Sequence, residues 1–389
     1  MTPNRRDVLS LLGGGLLGGG LLAAVAGPVR AAAPPGATGA AALYLNAYAT
    51  AGAAPAYGVA ALDEAGTLRF ATAMPGRAHG IVPHPARAEA VVFARRPGRW
   101  FVPLSLADGT AGAVVKAPDD RRFTGHGAFS ADGALLFVAE DDVPGETGAI
   151  GVYSAAAGDS NGGGYRRLGA LPTHGLGPHE LVMMAGGTVL AVANGGVITH
   201  PDTGRAKLNL DAMDASLTYV EAATGRLLDK VRLPERHANL GIRHLALLDD
   251  GGVAFGTQDE RPIGELQPLT GAHRPGGGAV RLFATPDDIL ARLGGYIGSI
   301  ASDGRTVAAS SPKGGLIGLW DGTNGAWLGA TTLPDGCGLA PCAAGFLATS
   351  GLGVIETVRA ADAEPAGGQR TPAFRWDNHL TRRPGVGTG

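Results

Sequence analysis

The chain has 389 residues, of which 65 are glycine and 26 are proline, with 17% charged residues and a formal net charge of −2. Glycine and proline destabilise helix interiors, by about 1 and 3 kcal/mol relative to alanine, whereas short strands joined by turns use both. This composition excludes a mainly helical protein and favours an all-β fold. Without an excess of positive charge, nucleic acid is not an expected partner.

The first 33 residues are typical of an export signal. Arg5 and Arg6 precede an apolar stretch at 11–27 that glycines interrupt, and small residues follow at 31–33. Paired arginines, a weakly hydrophobic core and a small-residue cleavage site characterise the twin-arginine signal. We therefore expect export to the periplasm, with no membrane span left after cleavage. A transmembrane anchor is the alternative, although the stretch is only marginally long for one.

A weak repeat runs through the rest of the chain. Its units start near four histidines spaced 47, 53 and 65 residues apart, namely His79, His126, His179 and His244. Turns such as those at 130–133 and 249–252 then join apolar strand-like segments, which is a hairpin signal. Continued to both ends of the chain, the pattern gives seven units of about 51 residues, a length typical of propeller blades. It predicts a seven-bladed β-propeller, with six blades or a β-sandwich as alternatives.

The repeat also suggests domain boundaries. We expect a linker at 34–40, the propeller at 41–380 and a disordered tail at 381–389. The strand-like run at 373–379 follows a polar linker, and a propeller must join its last blade to its first. This run is therefore predicted to complete the blade that opens at the N-terminus. Cys337 and Cys342, five residues apart, could form a disulfide in an oxidising compartment.

The repeated histidines are the first candidate site. The innermost strands of a propeller line its channel, so His79, His126, His179 and His244 are predicted to converge on the axis. His379 joins them if the last strand is innermost. Such imidazoles bind late first-row metals, with iron or copper as candidates, and Glu180 could add an oxygen ligand. Alternatively, the histidines hydrogen-bond to backbone groups and only fasten adjacent strands.

A second candidate is the polar segment 194–211, together with Arg243 beside His244. The segment is longer than a blade connection needs and carries Asn194, Arg205 and Lys207. It is either a rim loop that holds an anion through Arg205 and Lys207 or a solvated loop held by its own turns. The sequence has no Cys-x-x-Cys-His motif, which excludes a c-type haem. A lactonase-like hydrolase, a quinoprotein-like oxidoreductase and an interaction scaffold remain alternative functions.

The sequence resembles the exported bacterial proteins grouped as domain of unknown function family 1513. The resemblance covers nearly all of the chain after the signal, through Gly125-His126-Gly127, the stretches 174–181, 193–211, 242–246 and 310–315, and Trp376-Asp377-Asn378-His379-Leu380. It implies a seven-bladed propeller related to YVTN, WD and quinoprotein-like repeats, regulation by iron, and imelysin-type iron-uptake proteins as partners, but no established activity. One departure is Thr124, where an aromatic residue is expected. We accordingly expect a periplasmic propeller that binds a metal or small ligand on its axis and assists iron handling.

Overall fold

A computed structural model describes residues 29–30, 42–155, 164–203, 206–261 and 264–383. The predicted signal apart from 29–30, the predicted linker, Arg205 and residues 384–389 lie outside this part of the chain, so export and cleavage stay predictions. None of the helices in the described ranges has the length and hydropathy needed to cross a membrane.

The described residues form seven antiparallel sheets, and the predicted seven-bladed β-propeller is confirmed. The innermost strands of successive blades contact one another around the axis. From the axis outward, blade 1 consists of Phe374–Arg383, Leu43–Thr50, Tyr57–Leu62 and Leu68–Ala73, with the short strand Val29–Arg30 paired to its outer edge.

The other six blades each run from the axis outward along the chain. Blade 2 comprises Ala78–Pro83, Glu89–Ala94, Trp100–Ser105 and Val115–Lys116. Blade 3 comprises Arg121–Phe129, Leu135–Asp142, Thr147–Ser154 and Arg166–Pro172. Blade 4 comprises Pro178–Met183, Val189–Asn194, Ser216–Glu221 and Leu227–Val231. Blade 5 comprises Leu240–Leu247, Val253–Asp259, Thr270–His273 and Arg281–Leu282. Blade 6 comprises Ser299–Ser302, Thr306–Ser311, Leu316–Asp321 and Trp327–Thr332. Blade 7 comprises Gly336–Cys342, Gly345–Ser350, Val354–Arg359 and Pro365–Arg370. The helices are α-helix Asp287–Leu293 and the 3₁₀ segments Pro201–Thr203, Leu210–Ala212 and Glu235–His237.

The hydrophobic cores lie between neighbouring blades. Strand Glu89–Ala94 shows why, because successive side chains of a strand point to opposite faces. Ala90 and Val92 pack in the cluster shared with blade 1, whereas Val91 and Phe93 pack in the cluster shared with blade 3. A strand buried on both faces reads as an unbroken apolar run, which is the pattern seen in the sequence.

The C-terminal strand closes the ring, as the sequence predicted. Phe374–Arg383 pairs antiparallel with Leu43–Thr50, from Phe374 opposite Thr50 to Arg383 opposite Leu43. The strand continues three residues past the boundary predicted at 380, because the start of Leu43–Thr50 takes its ladder partners from Thr381, Arg382 and Arg383. Residues 381–383 therefore belong to the propeller and not to a tail.

The two cysteines do not form a disulfide. Cys337 and Cys342 are both free and lie at opposite ends of strand Gly336–Cys342. Five residues of extended chain span roughly 16 Å, far beyond the distance of about 7 Å that a disulfide tolerates between Cα atoms. Cys337 is buried, and its thiol donates to the carbonyl of Trp376 at 3.4 Å.

Deleting residues 374–389 should abolish cooperative thermal unfolding, because blade 1 would lose its innermost strand and the buried side chains of Trp376 and Leu380. Circular dichroism during heating measures this. Deletion of 384–389 alone, which keeps the whole strand, is the matched control and should leave the unfolding temperature within a few degrees of wild type. A sharp transition retained by the longer deletion would contradict the closure of the ring through this strand.

Candidate functional site

Five buried histidines meet at the axis, one from each of blades 1 to 5 among the described residues: His379, His79, His126, His179 and His244. Their neighbouring ring centroids lie 4.4 to 5.0 Å apart, and each residue is at most 9% exposed. We call these five residues the histidine cluster. The convergence expected from the repeat, including the fifth residue His379, is thus present in the structure.

Interruptions of the inner-strand ladders bring these side chains to the axis. His79 lies in a register shift between Ala78 and Ile81, and His179 in one between Pro178 and Leu181. His126 and His379 fall in equivalent gaps, while His244 resumes its ladder directly after the unpaired Arg243. A bulge releases a residue from ladder pairing and changes the direction of its side chain. Each of the five inner strands that carry a cluster histidine has such an irregularity at or next to that histidine.

Two glycines beside the histidines let the inner strands of blades 2 and 3 approach closely. Gly125 has φ +107°, a conformation that other residues rarely adopt, and a Cβ there would lie 2.9 Å from Cδ2 of His79. A Cβ on Gly80 would overlap the carbonyl oxygen of Gly125. The sequence therefore needs glycine next to His79 and His126 for their rings to come together.

Several ring nitrogens of the histidine cluster have no hydrogen-bond partner among the described residues. They are Nε2 of His126, Nδ1 of His179 and both ring nitrogens of His244, all shielded from solvent. A buried polar atom without a partner costs about 1 to 3 kcal/mol. Hydrogen bonds therefore do not account for the positions of His126, His179 and His244 in the cluster.

Histidines elsewhere in the fold behave differently. His84 donates from Nε2 to the carbonyl of Gly133 at 3.1 Å, and its Nδ1 accepts from the backbone of Ala86 and Arg87. His273 uses both nitrogens as well, with Tyr219 and Gly278. These two histidines have both ring nitrogens hydrogen-bonded, whereas His126, His179 and His244 have buried ring nitrogens without a hydrogen-bond partner among the described residues.

The surroundings keep four of the five cluster histidines neutral. Burial is the largest cause, and it lowers the pKa of His79 from 6.5 to about 4 although Asp377 opposes the shift. Burial, with the neighbouring imidazoles and nearby arginines, also holds the pKa values of His126, His179 and His379 well below the ordinary value. Neutral imidazole is the form that binds metal ions.

Asp377 orients one member of the cluster. Its carboxylate accepts from Nδ1 of His79 at 3.2 Å, from Arg77 at 2.6 Å and from Arg95 at 3.1 and 3.2 Å. Burial alone would raise the pKa of Asp377, but His79 and the two guanidinium groups hold it below its usual range. With Nδ1 of His79 donating to this anion, Nε2 of His79 carries the lone pair and accepts a hydrogen bond from Nε2 of His379 at 3.2 Å.

The cluster contains two overlapping triads that could hold a metal ion. His79, His126 and His379 form one, and His126, His179 and His244 form the other, with the ligand atoms of each triad within 4.8 Å of one another. Glu180, the predicted oxygen ligand, lies between His126 and His244, at 3.9 Å from Nδ1 of His126 and 3.4 Å from Nδ1 of His244. Its carboxylate also accepts from the backbone of Leu245 at 3.1 Å.

A cavity of about 450 Å³ opens above the cluster, with His79, His179 and His244 in its lining. We call it the axial cavity. Six of the described residues that line it are cationic, namely Arg95, Arg96, Arg122, Lys207, Arg243 and Lys313, against the carboxylates of Asp259 and Glu260. The chain as a whole has a formal charge of −2, so this positive charge is a local feature.

The residues of the predicted rim loop separate in the structure. Lys207 lines the axial cavity and lies 2.7 Å from Oε2 of Glu260, which also pairs with Arg243. Asn194 is not part of the lining: it is buried at the end of strand Val189–Asn194, where its side-chain amide donates to Thr218 at 3.1 Å. Thr124, the departure from the family pattern, does line the cavity and donates to the carbonyl of His179 at 3.2 Å.

Sequence reasoning missed several residues of this site. Asp377 lies two residues before His379, and this spacing in the last strand was the available signal. Arg122, Glu260 and Lys313 come from blades 3, 5 and 6 and stand in no common sequence motif. Only the ring arrangement of the blades brings them to one cavity.

Comparison with known proteins places the chain in a family. A family model described as "Protein of unknown function (DUF1513)" matches residues 72–383. None of the curated proteins compared with the chain matches it. Among solved structures, a chain from "Crystal structure of Nidogen/Laminin Complex" is similar in fold, with a TM-score of 0.47 and 12% identity over 75% of this chain and 93% of that chain.

Acid should destabilise the metal-free protein between about pH 6.5 and 4. The folded-state pKa of His79 is below its unfolded value, so the unfolded state binds more protons and stability falls as the pH falls. Each such histidine contributes a slope of about 1.4 kcal/mol per pH unit within its window. Urea unfolding at several pH values measures the slope.

The matched variants for this prediction are His179→Asn in the cluster and His200→Asn, whose side chain is 39% exposed. The first should reduce the slope by about 1.4 kcal/mol per pH unit, and the second should leave it unchanged. Equal slopes in wild type and His179→Asn would show that the buried imidazole of His179 does not stay neutral in the folded protein.

Proposed function

The chain belongs to the DUF1513 family of proteins of unknown function, and we propose that it binds a transition-metal ion in the histidine cluster, with iron or copper as the candidate metals. The observation that carries this proposal is the set of ring nitrogens without partners. Four buried ring nitrogens of His126, His179 and His244 make no hydrogen bond to the described residues. A metal ion would bind the one lone pair that each neutral imidazole offers.

The donor set fits such an ion. Imidazole nitrogen is a common ligand of iron, copper, zinc and nickel. An adjacent carboxylate, which is a hard oxygen ligand, favours iron over metal ions that prefer soft ligands. His126 belongs to both triads and would be the central ligand, with Glu180 as the nearby oxygen donor. Asp377 would act on the metal indirectly, because it fixes the tautomer of His79 in the way that carboxylates commonly orient metal-binding histidines.

Two of the three alternative functions, the scaffold with structural histidines and the hydrolase, receive less support. In a purely structural cluster each ring would be expected to bond through both nitrogens, as His84 and His273 do, and three of the five rings do not. For a hydrolase, the described lining of the axial cavity offers neither serine nor cysteine as a nucleophile. The sequence 158–162 reads Gly-Asp-Ser-Asn-Gly, which has nucleophile-elbow spacing, but it lies outside the described residues.

Metal content tests the proposal directly. Protein purified from its native compartment should contain about one equivalent of iron or copper, and replacement of both His126 and His179 by alanine should remove at least nine-tenths of it, since these residues supply ligands to both triads. Elemental analysis gives the metal, and circular dichroism shows whether the fold survives.

Two single variants serve as controls. His200→Ala removes an exposed histidine, and His273→Ala removes a buried one that is hydrogen-bonded to Tyr219. Both should retain the metal of the wild type. Metal-free wild-type protein, or a double variant that folds and keeps its metal, would defeat the proposal.

We also propose that the protein acts in the periplasm after twin-arginine export, beside imelysin-type iron-uptake proteins. The support is the paired Arg5 and Arg6 before the glycine-interrupted apolar stretch. Replacement of both by lysine should leave the protein in the cytoplasm, as measured by cell fractionation. A single Arg5→Lys change is the matched control and should reduce export only partly. Unchanged periplasmic accumulation of the double variant would exclude the twin-arginine route.

A further inference from the structure

We propose that the axial cavity is a binding site for a small polyanion that carries several carboxylate or phosphate groups. The site lies directly above the histidine cluster, since His79, His179 and His244 form part of its lining. This inference goes beyond metal binding and does not require it, because the groups that would hold the anion are the cations of the cavity.

The first support is the charge balance. Six cations and two carboxylates line the cavity among the described residues. Asp141 and Asp377 pair with some of these cations from outside the lining, at 2.6 Å to Arg122 and 3.1 Å to Arg95. Counting these two as well, six positive charges still face four negative ones. An anionic ligand would neutralise the remainder, and in a recess partly removed from water the attraction is stronger than on an open surface.

The second support is how the carboxylates are shared. The carboxylate of Glu260 pairs with both Arg243 and Lys207. Lys207 also donates from Nζ to the backbone carbonyl of Glu260 at 3.0 Å. Asp141 serves Arg122 and also lies 3.8 Å from Arg96. Each of these carboxylates supplies one negative charge to two neighbouring cations, so both groups keep a net positive charge among the described residues.

Two of the guanidinium groups, those of Arg122 and Arg243, still have a nitrogen that could donate to an anion. Arg122 donates to Asp141 and Thr199 through Nε and Nη2, and Arg243 donates to Glu260 through the same two atoms. Nη1 of each guanidinium has no hydrogen bond to any described residue. Both arginines are buried, and an arginine fork matches carboxylate and phosphate oxygens in geometry.

The remaining cations are placed around the opening. Lys313 lies over the ring of Tyr296, with Nζ 4.7 Å from the ring centroid, and both residues line the cavity. Lys313 and Lys207 are exposed, whereas Arg122 and Arg243 are buried. An incoming anion therefore meets the exposed lysines first and the buried guanidinium groups after them. A volume of about 450 Å³ suits a molecule with several ionised groups.

Calorimetric titration of the metal-free protein tests this site. Citrate and pyrophosphate are the probes, and acetate is the singly charged comparison. At least one probe should bind about tenfold more tightly than acetate, because several cations must act together on a polyanion. The tighter of the two probes identifies the ligand groups as carboxylate or phosphate. Binding should weaken as salt is added.

Lys207→Gln and Lys313→Gln should each weaken the binding about tenfold, and neither should disturb folding, since both side chains are exposed. Arg359→Gln is the matched control, because it removes one positive charge at an exposed ion pair with Asp362 in blade 7. It should change the affinity less than twofold.

The inference is overturned if neither probe binds better than acetate, or if the control variant loses as much affinity as the lysine variants. Because the titration uses metal-free protein, its result is separate from the metal content of the native protein. A wild type that binds a probe but purifies without metal retains the anion site and loses the proposed function. The reverse result retains the function and removes the anion site.

Discussion

The site depends on one backbone feature, the break in hydrogen-bond pairing where each histidine-bearing inner strand reaches the axis. A regular ladder would send successive side chains to the two faces of a blade, into the cores shared with its neighbours. The bulges interrupt this alternation, and the side chains of His79, His126, His179 and His379 point toward the channel. Close approach at Gly80 and Gly125 then brings the rings of adjacent blades within contact.

Different parts of the molecule therefore stabilise the fold and form the candidate site: the cores between blades and the histidines on the axis. The apolar clusters lie between blades and contain the largest fully buried side chains, such as Trp320, Tyr44 and Tyr153. The axis contains buried imidazoles, three of which have ring nitrogens without a hydrogen-bond partner among the described residues, and this by itself opposes folding. A propeller tolerates such a centre because its sheets are held by the packing between blades and by the closing strand Phe374–Arg383.

The electrostatic layers of the site are also distinct. The imidazoles of His79 and His179, which burial keeps neutral, lie on the floor, and cations surround the cavity above them. Asp377 connects the two layers, because the same carboxylate orients His79 and pairs with Arg77 and Arg95. Glu260 and Asp141 hold other cations in position without cancelling their charge. The arrangement can therefore present lone pairs to a metal ion and positive charge to an anion from adjoining surfaces.

The sequence by itself determined the fold class, the seven blades, the closing strand and the meeting of the histidines, because each follows from composition and from equivalent positions in a repeat. The partners of those histidines depended on tertiary structure. The bulges leave no mark in an apolar run, and Asp377, Arg122, Glu260 and Lys313 come from four different blades. The separation of Cys337 from Cys342 and the exclusion of Asn194 from the cavity also required the structure. Sequence spacing limits how far apart two residues can lie, but pairing register and blade order decide which side chains share a space.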